Sequence, residues 1–131
     1  MTAELDTLVG YCRQRAEGNL RTVAAYDPRA SEFDVAYLRD DLRAAYTQSQ
    51  YERLIERVYS THEDVAAVGE TGAIGNGHAS VHYFEEAFVL QLIVEAEYGV
   101  LVTFDSVVGA GLASFVDECL RALGEEAEFV D

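Results

Sequence analysis

The sequence predicts one α+β domain, a five-stranded antiparallel sheet with three helices, in the order α-β-β-α-β-β-β-α. Three observations predict it. Segments near the start, middle and end of the chain repeat their apolar residues at helical spacing. Between them lie stretches of strand length that alternate or run apolar, bounded by turn residues. The chain has 131 residues, the size of one domain, and can bury roughly two-thirds of its unfolded surface without a disulfide or metal. The domain is expected to span 1–124, with 125–131 (EEAEFVD) as an acidic C-terminal tail.

Each element has its own signal. Over 3–17, Leu5, Leu8, Val9, Cys12 and Ala16 form a helical stripe, with Thr2 as N-cap and Gly18 as stop. Residues 19–26 read as a strand, and Asp27-Pro28 starts a turn. FDVAYLR (33–39) then alternates, placing Phe33, Val35, Tyr37 and Arg39 on one face. DDLRAAY (40–46) reads as a short helical turn, with Asp40 as cap and Asp41 in the first turn, where the helix dipole favours an acid. TQSQ (47–50) is a capping box. The helix it opens carries Tyr51, Leu54, Ile55, Val58 and Tyr59 on one side. Residues 60–79 read as a surface loop that starts with a helical turn at 61–68 and holds a glycine-rich run at 69–77. Three strands follow as a meander, 79–85, 87–95 and 99–105, the middle one apolar enough to be covered on both faces. In the last helix, 111–123, the inward stripe is Leu112, Phe115, Val116, Cys119, Leu120 and Leu123.

Composition bounds function more than any motif does. There are 24 acidic residues against 9 basic ones, a formal net charge of −15, and every basic residue is arginine. This balance reads as adaptation to molar salt, where a Debye length of roughly 3 Å screens acidic self-repulsion. It argues against a nucleic-acid partner, since phosphate contacts carry most of that affinity. Without lysine there is no P-loop and no Schiff-base chemistry. No leader-like or membrane-spanning run is visible, so a cytoplasmic location is expected. Cys12 and Cys119 belong to no CxxC pair and both lie on apolar stripes, which predicts two buried thiols.

The candidate site residues are polar groups around the first hairpin. Asp40 and Asp41 would need further oxygens, from Asp27 or Asp34, to hold a divalent cation. Neighbouring residues point apart, so capping is the simpler role. Arg21, Tyr26, Asp27, Tyr37, Arg39, Asp40 and Asp41 are expected to form a polar network, with Asp41 or Asp27 as the partner of Arg39. His62, His78 and His82 are the only histidines, and His78 and His82, four apart on a strand at roughly 3.3 Å per residue, are too far apart to share a metal. No catalytic, cofactor-binding or metal-ligating set emerges.

Two resemblances add to this reading. LRTVAAYD (20–27), YLRDDLRAAY (37–46) and FVDECLRAL (115–123) resemble a family of small acidic haloarchaeal proteins of unknown function, in which R-x-V-x-x-Y-D precedes Y-L-R-D-D. The matching positions are Arg21, Val23, Tyr26, Asp27, Tyr37, Leu38, Arg39, Asp40 and Asp41. The element order resembles the roadblock-type fold, and profilin-like folds share much of it. That resemblance implies a dimer built on the middle helix and an edge strand, here 48–60 and 79–85. The favoured reading is a non-enzymatic protein-interaction or regulatory module that pairs with itself or with another protein, its interface drawing on Tyr46, Tyr51, Ile55 and Tyr59. The alternative is a small-ligand sensor with a pocket between sheet and middle helix near Tyr26, Tyr37 and Arg39.

Overall fold

The computed structural model describes residues 2–27, 32–45, 47–95 and 98–124. In chain order the elements are α1 (Thr2–Ala16), β1 (Leu20–Asp27), β2 (Glu32–Leu38), a 3-10 turn (Asp40–Leu42), α2 (Gln48–Gly69), β3 (Ala79–Tyr83), β4 (Ala87–Glu95), β5 (Tyr98–Asp105), a second 3-10 turn (Ser106–Gly109) and α3 (Ala110–Ala122). The strands form one antiparallel sheet in the order β2-β1-β5-β4-β3. The fold class expected from the sequence is therefore the observed one. Among the described residues, no helix is long and apolar enough to cross a membrane.

Strand alternation divides the sheet into two faces. On one, Val23, Val102 and Leu90 lie side by side, as do Ala25, Val100 and Leu92. Leu5, Cys12 and Ala16 of α1 close over this face, with Leu20 and Phe104 completing the core. Tyr83 stacks on Phe88 at 5.0 Å and Phe88 on Phe104 at 6.0 Å, which carries the aromatic packing to the β3 edge. The turn before α3 lands there: a Cβ on Gly109 would overlap the Tyr83 hydroxyl, so a larger residue would have to displace the stacked ring. On the opposite face Tyr26 and Leu101 meet Val58 of α2, flanked by Phe33, Tyr59 and Val89. Gly99 serves this layer, because a Cβ there would strike both the Tyr26 hydroxyl and the Leu92 carbonyl.

The capping box of α2 is formed: Gln50 N–H donates to Thr47 Oγ1 at 3.2 Å, and Thr47 N–H donates to Gln50 Oε1 at 2.9 Å. From there the structure departs from the sequence reading in four places. α2 runs on through Gly69 as one helix of 22 residues, so the expected break near residue 60 is absent. Val58, His62, Val65 and Gly69 explain this: at i, i+4, i+7 and i+11 they present one side to the fold, although histidine and glycine do not read as apolar. In β2, the register shift between Val23 and Ala24 pairs Val23 with Tyr37 but Ala24 with Val35. This bulge inserts one residue and flips the alternation. Tyr37 therefore packs on the α1 side while Phe33 packs on the α2 side, not on one face as strict alternation required.

The third departure is α3. Its buried side chains are Ala113 and Asp117, whereas Leu112, Phe115 and Leu123 are exposed. Cys119 is exposed as well, and only Cys12 is a buried thiol. The helix turns Ala113 and Asp117 inward and leaves much of its apolar stripe exposed. Fourth, the position before the first 3-10 turn is Arg39, and no side chain caps that turn. Asp40 instead pairs with Arg43 one turn on, at 3.3 Å.

Candidate functional site

Arg39 directly follows β2, and its side chain reaches past β1 to the end of β5. Its guanidinium uses each of its five donors. Nε–H donates to Asp41 Oδ1 at 2.6 Å and Nη2 to Asp41 Oδ2 at 3.2 Å. Nη1 donates to Asp105 Oδ2 at 2.7 Å and Nη2 to Asp105 Oδ1 at 3.0 Å. The last donor, on Nη1, reaches the Gly18 carbonyl at 3.0 Å. These bonds clasp β2, β5, the α1–β1 turn and the first 3-10 turn together. Hydrogen bonds from Arg39 hold the carboxyls of Asp41 and Asp105 below the usual carboxylate range and raise the guanidinium in turn. A guanidinium saturated this way has no donor left for a ligand. Asp105, the central acid of the clasp, gave no signal in the sequence, because its partners lie 66 and 84 positions away.

The other residues expected in this network are dispersed. Arg21 joins it by one contact, Nη1 to Asp105 Oδ1 at 3.3 Å. Tyr37 lies under Arg13, whose guanidinium carbon is 5.4 Å from the ring centre. Asp40 pairs outward with Arg43, and Asp27 ends β1 at the far end of the strand from Arg21. Tyr26 is deep in the α2 layer. The pocket expected near Tyr26, Tyr37 and Arg39 is therefore not formed by those side chains. They fall on one face, the other face and the end of the sheet.

Tyr26 anchors a buried polar cluster that sequence reasoning missed. Tyr26, His62 and Gln91 are 2%, 1% and 1% exposed. Gln91 Nε2 donates to the Val58 carbonyl and to Tyr26 Oη, both at 2.8 Å. The Val58 carbonyl can only accept, which fixes the orientation of the Gln91 amide. Tyr26 Oη also lies 2.8 Å from His62 Nδ1, a hydrogen bond whose donor is set by the imidazole tautomer. Burial pushes the Tyr26 hydroxyl up to about 12, against the opposing bond from Gln91. The cluster locks α2 to β1 and β4 and is closed to solvent.

Beside it the same layer is open. A cavity of about 510 Å³ lies between the sheet and the first turns of α2. Its apolar surface comes from Ala24, Val89 and Leu101 on the sheet, with Val35, Leu54 and Phe84 around the mouth. Thr22 and Thr103, hydrogen-bonded to each other at 2.6 Å, are polar points on the floor. Arg21, Arg43 and Glu86 also line it. Among the described residues, no three His, Cys, Asp or Glu side chains converge as metal ligands. Of the expected interface residues, Tyr59 bears on the same side of the sheet. Tyr59 is half-buried, its ring 5.9 Å from that of Tyr26. Tyr46 lies outside the described residues, as do the side chains of Tyr51 and Ile55.

The fold is shared with solved structures at low sequence identity. MglB of Myxococcus xanthus superposes with a TM-score of 0.56 at 10% identity, over 79% of this chain and 71% of that one. The gliding protein MglB of Thermus thermophilus gives 0.51 at 13% identity, over 79% and 74%. The roadblock/LC7 domain from Streptomyces avermitilis gives 0.51 at 11%, over 84% and 91%. These likenesses establish a roadblock/LC7-type fold. No curated protein matches the sequence. A family model does, over residues 6–124, and the chain belongs to that family, described as a domain of unknown function, DUF7522.

Proposed function

We propose that this chain is a non-enzymatic, regulatory protein-interaction module that pairs with itself through α2 and β3, in the cytoplasm of a salt-adapted cell. The observation that carries the reading is the place of β3, an edge strand bonded to β4 on one side only. An open edge presents a row of N–H and C=O groups to a partner strand. α2 packs next to that edge, so helix and strand offer one continuous surface. Tyr46, Tyr51, Ile55 and Tyr59 are assigned to this surface, as interface cores favour aromatic side chains. The likeness to MglB supports self-association, since one MglB structure is described as having a tetrameric arrangement; it superposes with a TM-score of 0.51 at 14% identity.

Two chains of charge −15 repel each other, so pairing is expected to need salt. Light scattering in about 2 M KCl should give twice the chain mass. Dilution to about 0.1 M, where the Debye length lengthens to about 10 Å, should shift the population to monomer and lower the melting temperature. Val81→Lys, on the exposed edge strand, should weaken pairing in high salt while leaving the fold intact. A strict monomer at high concentration in molar salt overturns the dimer. A melting temperature indifferent to salt overturns the halophile reading.

A further inference from the structure

We propose that the cavity between the sheet and the start of α2 is a binding site for a small amphipathic monocarboxylate. The carboxylate would sit at Arg21 and Arg43, the apolar body over Ala24, Val89 and Leu101. The inference does not rest on self-association.

Size and lining come first. About 510 Å³ falls within the range of small-molecule sites. Most side chains around it are apolar, and the polar ones are few and specific, the pattern expected of a pocket that takes an apolar body and orients one polar group. The neighbouring part of the same layer is filled by Tyr26, His62 and Gln91, so the opening is local.

The choice of head group follows from how the arginines are used. Arg39 is saturated. Arg21 meets Asp105 through Nη1 alone at 3.3 Å, and that carboxylate is already gripped twice by Arg39. Arg43 meets Asp40 through Nε at 3.3 Å. Both contacts are long for charge-assisted bonds, and each planar fork suits a carboxylate. The Arg21 side chain is 16% exposed and that of Arg43 is 70% exposed. Salt therefore screens Arg21 less, and Arg21 should carry more of the affinity. Glu86 on the lining disfavours a second negative group, which selects one carboxylate over two.

The test is titration calorimetry of the full chain in about 2 M KCl with decanoate, and with decanol as the uncharged counterpart. Decanoate should bind saturably at one site per chain, about tenfold tighter than decanol. Arg21→Gln should remove that preference while keeping the circular dichroism spectrum and decanol binding. Arg43→Gln should weaken decanoate about threefold. Leu54→Trp, which fills the cavity from α2, should abolish both ligands, and Arg121→Gln on α3 should change neither. The proposal is overturned if decanoate does not saturate, if decanol binds as tightly, or if folded Arg21→Gln binds decanoate as the parent does. It is equally overturned if binding vanishes as protein concentration drives pairing, because a second copy would then be the occupant.

Discussion

The two faces of the sheet are built by different rules. Under α1 the packing is aliphatic and closed: Leu20, Val23 and Val102 are buried to within a percent of complete. Under α2 the same strands carry Tyr26 and Gln91 at one end and the open cavity at the other. The α1 face holds the domain together through apolar burial. The α2 face places a hydrogen-bonded lock at one end and leaves room at the other. An element that is bonded in place but incompletely packed suits recognition, since a site needs both fixed walls and free volume.

The contrast can be broken most sharply in the aliphatic face. Leu20→Ala should cost about 2–5 kcal/mol, whereas Val89→Ala, beside the existing cavity, should cost about 1 kcal/mol or less. Chemical denaturation in molar salt compares the two, and equal costs would erase the distinction. Next in size is the polar lock. His62→Leu and Gln91→Leu should each cost about 1–3 kcal/mol by removing one of the two partners of the Tyr26 hydroxyl, and the two costs should not simply add. The lock also has an alkaline signature. The folded-state pKa of Tyr26 is raised, so its contribution is intact below the ordinary value of 10.0 and is lost as pH rises towards about 12. Absorbance near 295 nm should show a late-ionising tyrosine component that is diminished in Tyr26→Phe, burial of Tyr83 accounting for what remains.

The smallest effect is expected at the clasp, which belongs to neither face. Arg39→Met should cost about 1 kcal/mol in molar salt, since the partners are partly exposed. Its carboxylates have lowered pKa values in the fold. Their stabilisation is present above the ordinary carboxylate value of 3.8 and is lost as pH falls through the folded values. The parent should therefore lose more stability on acidification below about pH 4 than Arg39→Met does. Parallel acid titrations of the two would sink this account of the clasp.

Legibility in the sequence followed the range of the interaction. The capping box and the Arg39–Asp41 contact span three and two positions, and both were readable. The α2 extension was half-readable, since Val58 and Val65 carry the period while His62 and Gly69 hide it. The β2 bulge was not readable: alternation supplies no sign of where one residue will be skipped. Nor was the outward stripe of α3, where local periodicity predicts a face but not what the face meets.

By itself the sequence determined the element order, the helix starts, the acidic surface and the absence of lysine chemistry, because these depend on neighbours along the chain or on totals. Only the tertiary structure decided that Asp105 completes the clasp, that His62 and Gln91 hold Tyr26, and that a cavity remains between Leu54 and the sheet. Those contacts join residues 33 to 84 positions apart. Their geometry is set by strand register and by how far a helix can close over a twisted sheet, quantities that no local pattern encodes.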